Sequence, residues 1–230
     1  MIKLWILFLC TVFFLANVLA VQARVEVPGK VRIGLYYERS SVYSLRIGSN
    51  QKIRFGYEKD AKPYMLFEKK FSGEFIVRRD GYFIKTGSIT IAYDPNDQGL
   101  PQGEKYGPYH VQIGGLYQDY DAAMNMVSTL EQKSLQSYAV FSGGWKVWTG
   151  LYTDMQTAQN TAQSLKTSLN LTDCPVVQPS STRLQVLYPD GRIRFMYDGI
   201  QEYLQVIPVP EGNETSLTTI NGKKFRGSLE

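Results

Sequence analysis

Hydrophobic and polar positions follow two textures along the chain. From Val25 to Tyr93, short β-type runs alternate with turns: Val31–Tyr36, Lys52–Tyr57, Gly73–Val77 and Tyr82–Tyr93. No helical period interrupts them. The stretch from Asp94 to Gly103 is dense in turn formers and predicts a linker. After Gly107-Pro108 the order becomes strand, helix, strand, strand, helix, strand. Tyr109, Val111 and Ile113 alternate with His110, Gln112 and Gly114, which predicts a strand with one face buried. Asp119 is placed to cap a helix whose Ala123, Met126, Val127 and Leu130 share one face, and Asp154 to cap a second carrying Ala158, Ala162, Leu165 and Leu169. Tyr138–Phe141 and Trp145–Thr149 flank a Ser142-Gly143-Gly144 hairpin turn, and Pro175–Gln178 supplies a fourth strand. From Leu184 onward the β texture returns.

Two internal echoes organise this pattern. Gly115-Leu116-Tyr117 with Asp119 and Ala123 recurs as Gly150-Leu151-Tyr152 with Asp154 and Ala158. Neither strand–turn–helix half can bury its apolar face alone, so the two are expected to pack as a pseudo-symmetric pair. The product is an α+β unit: a four-stranded antiparallel sheet with two helices on one face, its other face open, flanked by β-rich segments. The second echo joins those flanks, with Lys52-Ile53-Arg54-Phe55-Gly56-Tyr57 answering Arg192-Ile193-Arg194-Phe195-Met196-Tyr197. A β-rich host interrupted by an inserted unit accounts for both.

The 230 residues and 43% hydrophobic content suit one or two folded domains. Residues 1–23 differ from the rest. Lys3 precedes an apolar run from Leu4 to Leu19, and Val21-Gln22-Ala23 offers small residues at a cleavage point. A cleaved signal peptide and an uncleaved membrane anchor both fit, since about 20 apolar residues span a bilayer. Either predicts an exported chain, in the cell wall or at the outer face of the cytoplasmic membrane. Cys10 lies in the apolar run, which leaves Cys174 as the one thiol downstream and rules out an internal disulfide or a cysteine-rich metal site there. The net charge of +4 is uneven: Arg24–Asp94 holds 14 Lys or Arg against 8 Asp or Glu, and Lys105–Ser180 holds 4 against 5. A basic leading portion suits anionic wall polymers or headgroups as well as an ordinary solvated surface.

Tyr109-His110-Val111-Gln112-Ile113-Gly114, a helix, then Trp145-Lys146-Val147-Trp148-Thr149-Gly150 and a second helix together resemble the SPOR domain, whose RNP-like fold matches the layout above. The chain departs from that family at Trp148, where Arg is common, at Thr149 for Val, and at the double glycine Gly114-Gly115. Family alignment pairs Gly114 with Gly150, the internal echo pairs Gly115 with Gly150, and a bulge at the two glycines reconciles them. The flanks are similar to SpoIID/LytB-type sporulation proteins: Val31–Tyr37 resembles the opening strand of that family and Thr219–Gly227 the segment leading into its catalytic part. The expected organisation is therefore a signal or anchor over 1–23, a SpoIID-like β-rich region over 24–94, a linker over 95–104, a SPOR domain over 105–180 and a SpoIID-like continuation over 183–230. The family's acidic catalytic motif has no counterpart up to Glu230.

The SPOR resemblance implies binding of peptidoglycan glycan strands stripped of stem peptides, through the open sheet face. Sugars present apolar ring faces edged by hydroxyls, which aromatic rings stack on while amide and imidazole groups hydrogen-bond. Strand parity puts His110 and Gln112, Lys146 and Trp148, and Tyr138 on that face, with Tyr117 bordering it. Trp148 also suits a crowded sheet edge, and His110, the lone histidine, makes neither a metal site nor a triad. The carboxylates Glu58, Glu68, Glu74, Glu202 and Glu230 are scattered, without pairing or metal-type spacing. The expectation is an exported peptidoglycan-binding protein linked to sporulation, without a cofactor, metal or catalysis of its own. The alternative is the N-terminal part of a SpoIID-type lytic transglycosylase. RNA-binding sheets share the strand–helix order, but the export signal and near-neutral central unit argue against a nucleic-acid partner.

Overall fold

The computed structural model describes residues 42–229 except 61, 68, 69, 200, 201, 210–216, 227 and 228. The apolar run Leu4–Leu19 and the Val31–Tyr37 segment lie outside the described residues. Among those described, no helix is long and apolar enough to cross a membrane. The described residues form sixteen strands and two helices in the order β1 (Ser44–Ser49), β2 (Ile53–Lys59), β3 (Lys62–Met65), β4 (Phe75–Arg79), β5 (Phe83–Thr86), β6 (Ile89–Ala92), β7 (Glu104–Tyr106), β8 (Tyr109–Tyr117), α1 (Tyr120–Glu131), β9 (Ser137–Phe141), β10 (Trp145–Tyr152), α2 (Met155–Ser168), β11 (Val176–Val177), β12 (Leu184–Leu187), β13 (Ile193–Tyr197), β14 (Leu204–Pro208), β15 (Thr218–Ile220) and β16 (Lys223–Phe225). Both expected caps are made: Asp119 Oδ1 accepts from Ala122 N at 2.8 Å and Asp154 Oδ1 from Thr157 N at 2.7 Å, which satisfies an otherwise orphaned donor in each helix. The Tyr82–Tyr93 run is a hairpin, turned at Gly87-Ser88 and paired from Thr86↔Ile89 to Phe83↔Ala92. Residues 95–104 lead from β6 into β7, which pairs back onto β5.

A free-standing four-stranded sheet is not what forms. The chain is mostly β, and its main sheet has ten strands in the order β11-β8-β10-β9-β13-β12-β4-β1-β15-β16. The antiparallel run β11-β8-β10-β9 is present within it, with Val111, Ile113, Ala139 and Val147 packed in one cluster with Ala123, Val127, Leu130, Ala158, Ala162 and Leu165 of the two helices. It does not end at β9. β13 adds in parallel, Met196 opposite Val140 and Tyr197 opposite Phe141, and makes the sheet mixed. The physical reason is the edge of β9: a fourth strand left open would expose unpaired N–H and C=O groups, and the returning chain satisfies them. Residues 42–230 accordingly cluster as one compact unit.

The two flanking echo segments take different places. Lys52–Tyr57 enters β2 of a three-stranded sheet, β14-β2-β3, while Arg192–Tyr197 enters β13 of the large one. Their equivalent phenylalanines meet: the Phe55 and Phe195 rings lie 5.0 Å apart, edge to face. Phe67, Phe71 and Phe75 surround Phe55 at 5.6–6.1 Å, and Trp145 reaches the same cluster through Phe67 and Phe195. The apolar stripe that alternates along each flank is thus spent against the other flank and against the helix side of the central unit.

Candidate functional site

Each half-unit hands its strand to its helix through a left-handed glycine. β8 follows β10 in register to Ile113, then bulges over Gly114-Gly115-Leu116 before Tyr117 pairs with Trp145. β10 shifts likewise between Thr149 and Tyr152, across Gly150-Leu151. Gly114 (φ +69°) and Gly150 (φ +76°) are the conformational equivalents, and Gly115 is the extra residue. A Cβ on Gly150 would lie 2.1 Å from the Tyr152 ring, whereas one on Gly114 would lie 3.0 Å from the Tyr117 hydroxyl. Gly150→Ala is therefore expected to cost more than the ~1–2 kcal/mol of a left-handed alanine alone, and Gly114→Ala to stay near that figure. Urea midpoints of the two variants measure the difference, and equal values would remove the steric part of the argument.

The six residues read from the sequence divide sharply. His110, Gln112, Tyr138, Lys146 and Trp148 do share the face turned away from the helices, and Gln112 and Trp148 are direct cross-strand partners. That face is not bare, which corrects the expectation of an open surface. His110, Tyr138 and Trp148 are 0%, 2% and 2% exposed. Asp80, at the end of β4, and Arg183, just before β12, reach over them. His110 Nε2 lies 2.9 Å from Asp80 Oδ2, and Nδ1 lies 2.7 Å from the Tyr138 hydroxyl and 2.8 Å from the Gly150 carbonyl, to which Tyr138 also donates. Arg183 donates to Asp80 Oδ2 at 2.9 Å and to the carbonyls of Pro108 and Gln178 at 3.2 and 2.7 Å. Gln185 donates to Asp80 Oδ1 at 2.7 Å and accepts from Arg78 at 2.7 Å. The Trp148 ring contacts both the His110 ring, stacked at 5.4 Å, and the Arg183 guanidinium, 4.7 Å from its centroid.

Burial pushes the Asp80 carboxyl up, but the His110 and Arg183 contacts outweigh it and hold the group below the usual carboxylate range. Burial also drives the Tyr138 phenol well above its ordinary value and draws the Arg78 guanidinium down to about 10. This is a closed network between the central unit and the flanks, in which Arg183 Nε also lies 3.6 Å from Asp198 Oδ2 as a second ion pair. Asp80, Arg183 and Gln185 were not legible as members of it: their partners lie far off in the sequence, and nothing local in Arg78-Arg79-Asp80-Gly81 distinguishes a buried carboxylate from a turn residue.

What remains accessible is the rim. Gln112 is partly exposed; its amide donates to the Gly114 carbonyl at 3.1 Å and accepts from the Trp148 indole at 3.4 Å. Beside it opens a groove of about 290 Å³ lined by Gln112, Gly114, Gly115, Leu171, Thr172, Asp173 and Pro175. The groove exists because β11 is short: it pairs with β8 only at His110 and Val111, Gln112 N donates to the Pro175 carbonyl, and beyond that point no described strand lies along this side of β8. Lys146 is partly exposed on the same face. Tyr117 instead packs against the main core, its hydroxyl donating to the Ile113 carbonyl at 3.3 Å. Among the described residues no three His, Cys, Asp or Glu side chains converge as metal ligands would. Of the scattered carboxylates, Glu74 pairs with Arg46 at 3.0 Å and Glu202 lies 4.0 Å from Lys59, while Glu68 and Glu230 fall outside the described residues. Comparison with protein-family models, curated proteins and solved structures finds no match to this chain.

Proposed function

We propose that the chain is an exported, noncatalytic binding protein for denuded peptidoglycan glycan strands, in the cell wall or at the outer face of the cytoplasmic membrane, and that the contact is made at the Gln112 rim rather than across the sheet. The groove carries the reading. Its lining offers an amide, a hydroxyl, the backbone of an unpaired strand edge and the apolar surfaces of Leu171 and Pro175, with no Lys or Arg. Hydrogen-bonding groups beside apolar surface suit a neutral, hydroxyl-rich polymer, and Asp173 disfavours a phosphate backbone. The SPOR-like repetition of strand, bulge glycine and capped helix supports the same ligand class, and the SpoIID-like flanks suggest a sporulation setting.

Retention of the full chain on amidase-treated sacculi tests this reading. Gln112→Ala removes about one ligand hydrogen bond, ~1 kcal/mol, and should weaken retention roughly fivefold. Thr172→Trp, at an exposed position, should fill the groove and abolish it. Retention should change little between low and moderate salt, since neutral sugars release no counterions, whereas a nucleic acid would give a steep dependence. Unchanged retention in both variants would remove the groove as the site.

A further inference from the structure

Six strands form the outer edges of the three sheets among the described residues, and five are guarded. β11 has two residues and follows Pro175; β16 carries Lys223 and Lys224; β3 carries Lys62 and Pro63; β7 has three residues including Glu104 and Lys105. β14 ends on Pro208, and Leu229 both donates to and accepts from Val206, at 3.0 and 2.8 Å. Shortness, charge, proline and cover are the devices by which an edge avoids recruiting another chain. β6, four residues long, has neither charge nor proline nor cover among the described residues. Its Ile89-Thr90-Ile91-Ala92 is uncharged, unbulged against β5, and carries Ile89 64% and Ile91 43% exposed.

The backbone of β6 is set for pairing. Tyr93 N donates to the Tyr82 carbonyl at 3.1 Å, so the antiparallel alternation turns the N–H and C=O of Ile89, Ile91 and Tyr93 toward β5. Those of Thr90 and Ala92 point outward. No described strand receives them.

We propose that β6 pairs antiparallel with β6 of a second copy of this chain, about a twofold axis at Thr90. The segment is complementary to itself in that register. Thr90 meets its own counterpart as a hydrogen-bonded pair, while Ile89 stands opposite the partner's Ile91 and Ile91 opposite the partner's Ile89, both favourable β-branched cross-strand pairs. Thr90 and the isoleucines fall on opposite faces of the joined sheet, and no charge sits at the contact of a chain carrying net +4. The association is isologous and closes at two copies, joining β7-β5-β6 of each into one six-stranded sheet. A four-residue edge buries little area, so the dimer is weak and depends on concentration. It does not depend on the glycan reading.

Site-directed cross-linking of the full chain tests this contact in a Cys10→Ser background, where Cys174 is buried. A hydrogen-bonded antiparallel pair sets its Cα atoms about 5.5 Å apart, within disulfide reach. Under mild oxidation Thr90→Cys should give a covalent dimer at a yield about tenfold above Thr86→Cys, inside the sheet on β5, or Lys224→Cys, on another edge. Adding Ile89→Lys to Thr90→Cys, an exposed change that leaves the monomer's packing alone, should reduce that yield to the level of the controls. Equal yields at the three positions, no dimer at Thr90→Cys, or a yield indifferent to Ile89→Lys would each overturn the proposal.

Discussion

Replacing Asp80 with alanine is expected to cost about 3–5 kcal/mol of folding stability, because it strips the central carboxylate from a buried network and leaves the Arg183 charge without its nearest partner. Arg183 is 2% exposed and would keep two carbonyl acceptors and the Asp198 carboxylate, 3.6 Å from its Nε, but lose its nearer anion. Gln185 and His110 would each lose a partner as well. The effect should reach the union of the central unit with the flanks, since Asp80 and Arg183 belong to the β4 and β12 side while His110 and Tyr138 belong to β8 and β9. Stability should also depend on acid. A carboxyl whose folded value is depressed contributes fully above its unfolded value, near 3.9, and that contribution disappears as pH falls through the depressed folded value. Urea midpoints of the native chain and of Asp80→Asn, measured from pH 7 downward, should therefore converge in acid. A gap that stayed constant with pH would mean that Asp80 acts there by shape and not by charge.

Phe55→Ala should be comparably severe, about 3–5 kcal/mol. The ring is fully buried, holds Phe67, Phe71, Phe75 and Phe195 around it, and comes from the small β14-β2-β3 sheet into a core shared with the large one. Phe75 and Phe195 are anchored on β4 and β13 and cannot collapse into the space, so the cavity term adds to the lost transfer energy. Phe55→Leu retains much of the volume and should cost well under half as much. If thermal melts of the two variants coincide, the cluster is more deformable than its edge-to-face packing implies. Measuring both variants alongside Asp80→Ala also separates the two ways the flanks are joined to the central unit, one apolar on the helix side and one charged on the opposite side.

The elements whose signals are local were readable before the fold was known. Asp119 and Asp154 cap the helices they precede, Ser142-Gly143-Gly144 turns the β9–β10 hairpin, and the double glycine is a bulge because two residues at one pleat have nowhere else to go. Parity correctly grouped His110, Gln112, Tyr138, Lys146 and Trp148 on one side. What it could not say is whether that side meets water, ligand or protein. An aromatic and amide-bearing strand face is equally the composition of a polar interior, and the groups that make it one, Asp80 and Arg183, arrive from positions 30 and 75 residues away from His110 and Pro108. The groove was half legible: Gln112 was singled out, while Leu171–Pro175 carried no periodic signal of binding.

Alternation, capping residues and repeated glycines specify which surface of each element is apolar and where it turns, because those preferences act over a few neighbouring residues. They established two strand–helix halves and a β-rich surround from the chain alone. The parallel joining of β13 to β9, the growth of four strands into ten, and the closing of a sheet face by the network around Asp80 and Arg183 arose only on folding. Strand partners are chosen by edges and complementary surfaces that no short stretch of sequence contains.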